Sequence, residues 1–191
     1  MSSVLHHPRR RRAIQVAADI PALVADLASK DPVVREDARE ALVAAGKPAV
    51  GPLVGALFDR DSRVRWEAAK ALVCIGDPSA APALVRALGV DHFGTRWLAA
   101  EALIVLGCDA LEPLLKALLD PANAVWLGEG AHHVLHELSR MYRLPWLLPV
   151  MTALREREPG LAVPPAALAA LQTIRASSRC WPPRRAWLHL Q

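Results

Sequence analysis

Apolar residues recur along the middle of the chain with the spacing of amphipathic helices. In three stretches, 31–57, 61–88 and 91–118, apolar side chains return every three or four residues. The residues of these stripes are Val34, Ala38, Ala41 and Leu42, then Val64, Ala68, Ala71 and Leu72, then Ala99, Ala102 and Leu103. Each stretch ends in a second apolar segment, which reads PLVGAL, PALVRAL or PLLKAL. The pattern predicts two helices per stretch, each with one buried face.

Polar residues and glycines at fixed places mark where these helices begin and end. Three sets recur at intervals of 30 or 31 residues: Asp31, Asp61 and Asp91; Arg35, Arg65 and Arg96; Gly46, Gly76 and Gly107. Each Asp is placed to cap a helix N-terminus, where its carboxylate accepts unpaired backbone N–H groups. Each Gly is placed to end that helix in a left-handed conformation. The two signals therefore delimit the first helix of every unit.

Self-similarity at this interval is typical of solenoids, in which each unit buries its apolar side against its neighbours. Two degenerate helix pairs are expected to follow, at 110–119 with 124–139 and at 143–156 with 165–175. We therefore predict an all-α fold, an α-solenoid of about five helix pairs stacked as a right-handed superhelix.

The motif D-x-x-V-R-x-x-A-x-x-A-L, followed by Gly and by P-x-L-x-x-A-L, resembles the HEAT repeat family. The form is that of the short phycocyanobilin lyase HEAT-like repeats. The resemblance covers 31–118, and extends more loosely to 19–30 and 119–175. It implies an armadillo/HEAT-like solenoid in which the helix containing V-R lines the concave side. It also implies that the recurring Asp and Arg residues form a ladder between neighbouring repeats and so support the fold.

The chain divides into three segments. Residues 1–18 are expected to form a basic, disordered tail, 19–176 the repeat solenoid, and 177–191 a capping or flexible C-terminal tail. For the basic stretch HHPRRRR (6–12) the alternative is contact with nucleic acid or an anionic surface. Four apolar residues of the last segment are expected to fold back over the final unit, with docking into another protein as the alternative. They are Trp181, Trp187, Leu188 and Leu190.

The net charge of +4 is unevenly distributed. Residues 1–30 carry +3, residues 31–120 carry −3 and residues 121–191 carry +4. A nucleic-acid-binding protein is expected to carry a continuous basic stripe on its working face. Because the repeats are mildly acidic, we do not expect nucleic-acid binding.

The apolar runs and the cysteines of the sequence indicate the cellular compartment in which the protein is expected. No run approaches the ~20 apolar residues that a membrane span requires, and no apolar segment follows the N-terminal arginines as in a secretory signal. Cys74, Cys108 and Cys180 are odd in number and widely spaced, which suits free thiols in a reducing compartment. We expect a cytoplasmic monomer without membrane contact.

The stretch GEGAHHVLHEL (128–138) concentrates histidines on one helix face. Its apolar stripe places Glu129, His132, His133 and His136 on the opposite, exposed face. Pairs four residues apart could share a divalent ion. One helix face supplies two or three ligands, however, whereas closed zinc sites take four. HEAT-repeat di-iron hydroxylases use His-Glu dipeptides in several repeats, and here only His136-Glu137 has that form. We therefore assign no metal and no cofactor, and interpret the patch as a partner contact, with a solvated face or a metal site as alternatives.

Alignment of the repeats places equivalent side chains in columns along the presumed concave surface. The candidate partner-binding residues on it are Glu36, Arg39, Glu40, Trp66, Lys70, Trp97, Glu101, Glu129, His132, His133 and His136. Exposed indoles in adjacent repeats favour an interaction surface, since Trp is enriched at binding hot spots. The alternative is that the tryptophans tilt and pack on the neighbouring repeat.

These features favour a non-enzymatic scaffold that binds a protein or peptide in its concave groove. No nucleophile–base pair or phosphate-binding loop is evident, so no catalytic residue is assigned. The resemblance implies one alternative, a bilin lyase or chromophore chaperone. A second alternative is a metal-binding repeat protein that uses the histidine patch.

Overall fold

The computed structural model describes residues 19–176, in which all regular structure is helical. Residues 19–26 are helical (α1), and ten further α-helices follow. They are α2 Pro32–Ala45, α3 Lys47–Ala56, α4 Ser62–Ile75, α5 Ala81–Ala87, α6 Phe93–Leu106, α7 Leu111–Ala117, α8 Pro121–Trp126, α9 Gly128–Tyr142, α10 Leu148–Ala153 and α11 Pro159–Ala176. The predicted all-α solenoid is confirmed. The expected tails at 1–18 and 177–191 lie outside the described residues.

Helix starts follow the predicted caps in two of the three clear repeats. The carboxylate of Asp31 accepts the N–H of Val33, and that of Asp61 accepts the N–H of Arg63, both at 2.9 Å. The third expected cap, Asp91, is wrong: α6 begins one residue later, and His92 accepts the N–H of Thr95 through Nδ1. An imidazole nitrogen can accept this hydrogen bond, so the helix keeps its cap although its start has moved.

The predicted glycines end their helices, but only Gly76 has the expected left-handed helical conformation; Gly46 and Gly107 have ψ of −131° and −130°. Gly46, Gly76 and Gly107 have φ of 66°, 61° and 63° and follow α2, α4 and α6 directly. Only glycine adopts such backbone freely, because it lacks a β-carbon. The chain therefore turns after each of these helices, and the second helix of the first two units, α3 or α5, packs chiefly against the first helix of the next unit.

The helices form two rows. The helices α2, α4, α6 and α9 stack one on the next and form what we call the inner row, and α3, α5, α7 and α11 lie behind them. The inner-row contacts are made largely by fully buried alanines, among them Ala68, Ala71, Ala99 and Ala102. Leucines fill the space between the two rows, including Leu53, Leu84 and Leu114. Small side chains between neighbouring inner-row helices bring their polar faces close together.

The recurring arginines bind backbone carbonyls and do not pair with the recurring aspartates, so the expected Asp–Arg ladder is wrong for the described residues. Arg35 Nη1 donates to the carbonyls of Ser29 and Lys30, and Arg65 and Arg96 repeat this contact five and six residues back. Each guanidinium thus holds the turn before its own helix. In the fourth unit Asn123 makes the equivalent contact, since its Nδ2 donates to the carbonyl of Ala117, six residues back, at 3.0 Å.

The degenerate units differ from the pattern in two places. The helix expected over 124–139 is two helices, because the chain breaks at Leu127 between α8 and α9. The helix expected over 165–175 starts earlier, at Pro159, and packs against α7, α8 and α10. Within the described residues, no helix is long and apolar enough to cross a membrane.

Candidate functional site

The polar faces of α6 and α9 meet along the inner row. The imidazole of His133 stacks on the indole of Trp97, with ring centroids 5.4 Å apart and planes 23° from parallel. On the same face, His133 Nε2 lies 3.8 Å from Glu101 Oε1. The structure therefore brings together three of the residues that sequence alignment placed in neighbouring columns.

Beside this contact the surface opens into a cleft of about 400 Å³ between the two helices. Phe93, Trp97 and Trp126 line it, and their side chains are 69%, 48% and 77% exposed. Asp91 and Glu129 line the same cleft. We call this the α6–α9 cleft. Large apolar side chains that are exposed together are typical of binding sites. Their contact with water is unfavourable, and a partner that covers them removes this cost.

Sequence reasoning missed Trp126 and Phe93. The position of Trp126 depends on the helix break at Leu127. Such a break depends on tertiary packing, which the local sequence pattern does not reveal. One local signal was available: Gly128 and Gly130 lie two residues apart at the start of α9. A β-carbon at Gly130 would lie 3.1 Å from Leu88 Cδ2, so this glycine lets α9 approach the preceding repeat closely.

Trp66 has a different role from Trp97. Its indole is half-buried and lies against Gly94 of α6, where a β-carbon would collide with Cζ3 and Cε3 of the ring. The structure thus supports the alternative for Trp66, in which the ring packs on the neighbouring repeat. Trp66 joins α4 to α6, whereas Trp97 faces the cleft.

Arg39, expected at the partner surface, is occupied by an ion pair inside the solenoid. Its Nη1 donates to Glu67 Oε2 at 2.7 Å, and its Nη2 lies 3.1 Å from Glu36 Oε1. Burial works to lower the pKa of Arg39, but hydrogen bonds and charge from Glu67 and Glu36 outweigh it, so the pKa is raised. Sequence reasoning missed Glu67, which lies three residues after Val64 and hence on the buried stripe.

The other residues expected on this surface lie away from the cleft. Glu40 is exposed on α2, and Lys70 is half-buried on α4. The candidate surface therefore separates into an ion-paired part on α2 and α4 and an aromatic part on α6 and α9.

The histidine patch borders two sites. His132 and His136 stack on each other, with centroids 6.3 Å apart, and line a second groove with Met151 and Arg155. His133 stacks on Trp97 of α6 and borders both this groove and the α6–α9 cleft. Desolvation lowers the pKa of His132, and the charge of Arg155 lowers it further. Across residues 19–176, no three His, Cys, Asp or Glu side chains are grouped so that they could hold a metal ion. The described geometry gives the metal-binding alternative no support.

Comparison with known families agrees with the stacked architecture. The family described as HEAT repeats matches residues 20–104, and the family described as PBS lyase HEAT-like repeat matches residues 95–120. Among proteins of curated function, none matches the chain. The two matches together run from α1 through the start of the fourth unit, which is the part in which the inner row is most regular. On this evidence residues 20–120 consist of HEAT-type repeats.

Proposed function

We propose that the protein is a non-enzymatic interaction module that binds a protein or peptide in the α6–α9 cleft. One observation carries this proposal: Phe93, Trp97 and Trp126 are exposed together around a single concave site. Aromatic side chains supply large contact area at low cost in conformational entropy, and Trp is enriched among binding hot spots. The stacked helices hold these rings on a rigid wall, so little ordering is required when a partner binds.

The experiment compares partner capture by the wild type and by a Trp97→Ala/Trp126→Ala variant. Both substitutions remove exposed side chains, so helical circular dichroism and the melting temperature should stay within a few degrees of wild type. We expect the variant to lose at least 90% of the partner recovered by affinity purification, since two hot-spot truncations of about 2 kcal/mol each reduce affinity several hundred-fold.

The matched control is Leu161→Ala/Leu168→Ala on α11, where the side chains are 73% and 49% exposed. This variant removes similar exposed apolar area from a helix behind the inner row, and it should capture the partner as wild type does. Equal capture by the cleft variant and wild type would contradict the proposal, as would equal loss in both variants.

A bilin lyase or chromophore chaperone is the second candidate, favoured by the family match at residues 95–120. In this case the cleft would hold a tetrapyrrole between Trp97 and Trp126. Mixing the protein with a bilin and recording its absorption spectrum separates the two candidates. A spectral shift that is lost in the cleft variant would support the second candidate, and an unchanged spectrum would argue against it.

A further inference from the structure

The α6–α9 cleft combines exposed aromatic rings with a net negative charge. Among the described residues, the carboxylates of Asp91 and Glu129 have neither a hydrogen-bond nor an ion-pair partner, although both line the cleft. Nearby, Glu101 faces the half-exposed imidazole of His133 at 3.8 Å. A ligand that enters the cleft therefore meets carboxylates that are free to bind it.

The guanidinium of Arg96, at the edge of the cleft, already contacts other groups of the protein. Of the described residues lining the cleft, Arg96 alone carries a permanent positive charge. Its Nη1 donates to the carbonyls of Val90 and Asp91 at 2.9 and 3.0 Å, and its guanidinium lies 5.7 Å from the centroid of Phe93. Arg96 thus holds the turn before α6 and makes no ion pair with Asp91 or Glu129. With two carboxylates and one guanidinium, the described lining keeps a net negative charge.

The aromatic rings add a second attraction for a cation. The negative face of an indole attracts a guanidinium or ammonium group, and the attraction is stronger where the pair is shielded from water. Arginine suits such a site better than lysine, because its planar group stacks on a ring while donating two parallel hydrogen bonds to a carboxylate. The molecule makes this kind of contact elsewhere: the guanidinium of Arg86 lies 4.5 Å above the ring of Phe58.

From this juxtaposition we infer that the α6–α9 cleft binds an arginine side chain of a basic partner peptide. The guanidinium stacks against Trp97 or Trp126 and donates to the carboxylate of Glu129 or Asp91. Aromatic rings alone would accept any apolar side chain; the unpaired carboxylates select a cation. This inference rests on the proposed function, since it names the chemistry of the partner bound at the same cleft.

The test uses the full chain, labelled with ¹⁵N, and the peptide acetyl-Gly-Ser-Arg-Ser-Gly-amide. Indole N–H signals are assigned with single Trp→Phe variants and followed by NMR during the titration. We expect the signals of Trp97 and Trp126 to shift and saturate, while that of Trp146, near α10, stays in place. The same peptide with citrulline, a neutral analogue of arginine, should bind at least tenfold more weakly. Affinity for the arginine peptide should fall as salt is raised.

Isosteric variants test the carboxylates. Glu129→Gln and Asp91→Asn keep the shape of the cleft and remove one charge each, so each should weaken binding of the arginine peptide about threefold to tenfold. Glu112→Gln is the matched control, because Glu112 is also exposed but pairs with Lys116 on α7. Equal affinity for the arginine and citrulline peptides, absence of shifts at both indoles, or unchanged affinity in both cleft variants would each overturn the inference.

The chain's own arginines are a rival source of the same group. The arginines of segments 1–18 and 177–191 are replaced by glutamine in one variant, and the titration is repeated; they are Arg9, Arg10, Arg11, Arg12, Arg179, Arg184 and Arg185. Equal binding by this variant and wild type agrees with a partner peptide as the occupant. Binding of the arginine peptide by this variant alone would mean that a tail fills the cleft, and the inference would be wrong.

The two proposals fail separately. If the arginine peptide does not bind but partner capture still depends on Trp97 and Trp126, the interaction module stands and only the chemistry of its partner is wrong. If the arginine peptide binds at the cleft but partner capture does not depend on these tryptophans, the proposed function is wrong.

Discussion

The six-membered ring of the Trp66 indole rests on the backbone of Gly94, across the contact between α4 and α6. A β-carbon at Gly94 would overlap Cζ3 and Cε3 of that ring. Trp97, one repeat further on, is 48% exposed and faces the cleft. Two tryptophans that occupy equivalent positions in the repeat therefore have different neighbours: Trp66 covers Gly94 of the next inner-row helix, whereas Trp97 stacks on His133 of α9.

We predict that Trp66→Ala lowers the free energy of unfolding by about 2 kcal/mol, whereas Trp97→Ala changes it by less than about 0.5 kcal/mol. The first substitution removes a half-buried ring from between two helices, and the second removes a ring with much of its surface in water. Urea denaturation followed by circular dichroism measures both values. If Trp97→Ala lowers the free energy of unfolding more than Trp66→Ala does, then Trp97, and not Trp66, is the tryptophan that stabilises the fold.

Gly94→Ala should cost about 1–3 kcal/mol in the wild-type background, because the Trp66 ring must move to admit the methyl group. In the Trp66→Ala background the same change should cost clearly less, since His92 Cε1, 3.2 Å from the added carbon, is then the remaining close neighbour. The two substitutions are therefore expected to be strongly non-additive, as residues in contact are. Additive effects would show that Trp66 and Gly94 do not touch in solution.

The ion pair between Arg39 and Glu67 should stabilise the contact of α2 with α4. Their side chains are 13% and 10% exposed and only 2.7 Å apart. Removing either one leaves a largely buried charge with a weaker partner only, because Arg39 keeps the exposed Glu36 and Glu67 keeps Arg35 at 3.9 Å. We predict a loss of about 2 kcal/mol for Glu67→Ala. A double-mutant cycle with Arg39→Ala should give a coupling energy of at least ~1 kcal/mol.

The pair Glu112–Lys116 is the matched control for that cycle. Its atoms are 2.8 Å apart, but the side chains are 51% and 55% exposed, so water and salt screen the attraction. Its coupling energy should not exceed about 0.5 kcal/mol. If the two cycles give the same value, burial does not strengthen the Arg39–Glu67 pair.

Gly46 and Gly107 have almost the same backbone conformation, so substitutions at the two positions distinguish backbone strain from steric collision. Gly46 has φ 66° and ψ −131°, and Gly107 has φ 63° and ψ −130°. A β-carbon at Gly46 meets no atom within 4 Å, whereas one at Gly107 would collide with the hydroxyl of Tyr142. We predict that Gly46→Ala costs about 1–3 kcal/mol through backbone strain alone and that Gly107→Ala costs at least ~1 kcal/mol more. Thermal unfolding of both variants tests the order, and the reverse order would contradict it.

The repeat architecture could be predicted because its signals are local. A capping Asp31 or Asp61 acts within three residues of itself, and a stripe such as Val64, Ala68 and Ala71 needs only helical spacing. The exception at Asp91 shows the limit of this reasoning. The aspartate keeps its place in the repeat, but the neighbouring His92 can also accept the capping hydrogen bond, and in the structure it does so.

The candidate site was predicted only where the repeats stay in register. Alignment placed Trp97, Glu101 and His133 in adjacent columns, and α6 packs on α9 in that way. Trp126 was missed because its position depends on the break at Leu127, which disturbs the repeat. Arg39 was placed at the surface because its partner, Glu67, lies on another helix, 28 residues away.

Acid should weaken the fold through His132. Desolvation lowers the pKa of its imidazole in the folded protein, with smaller contributions from the charges of Arg155, His136 and His133. The unfolded chain has the ordinary pKa of histidine, about 6.5. Below that pH the unfolded state binds the proton more readily than the folded state does. The free energy of unfolding should therefore decrease as pH falls through about 6.5, and level off once the folded protein is also protonated.

The measurement is the melting temperature between pH 7.5 and 5.0 for wild type, His132→Asn and Arg155→Gln. His132→Asn removes the titrating group, so its melting temperature should fall less over this range than that of wild type. Arg155→Gln removes one of the charges that disfavour the imidazolium, so its curve should lie between the other two. An NMR titration of the His132 ring protons reports the same pKa directly in the folded protein. If that pKa lies at or above 6.5, or if His132→Asn loses as much stability in acid as wild type, desolvation in the groove with Met151 and Arg155 does not control this group.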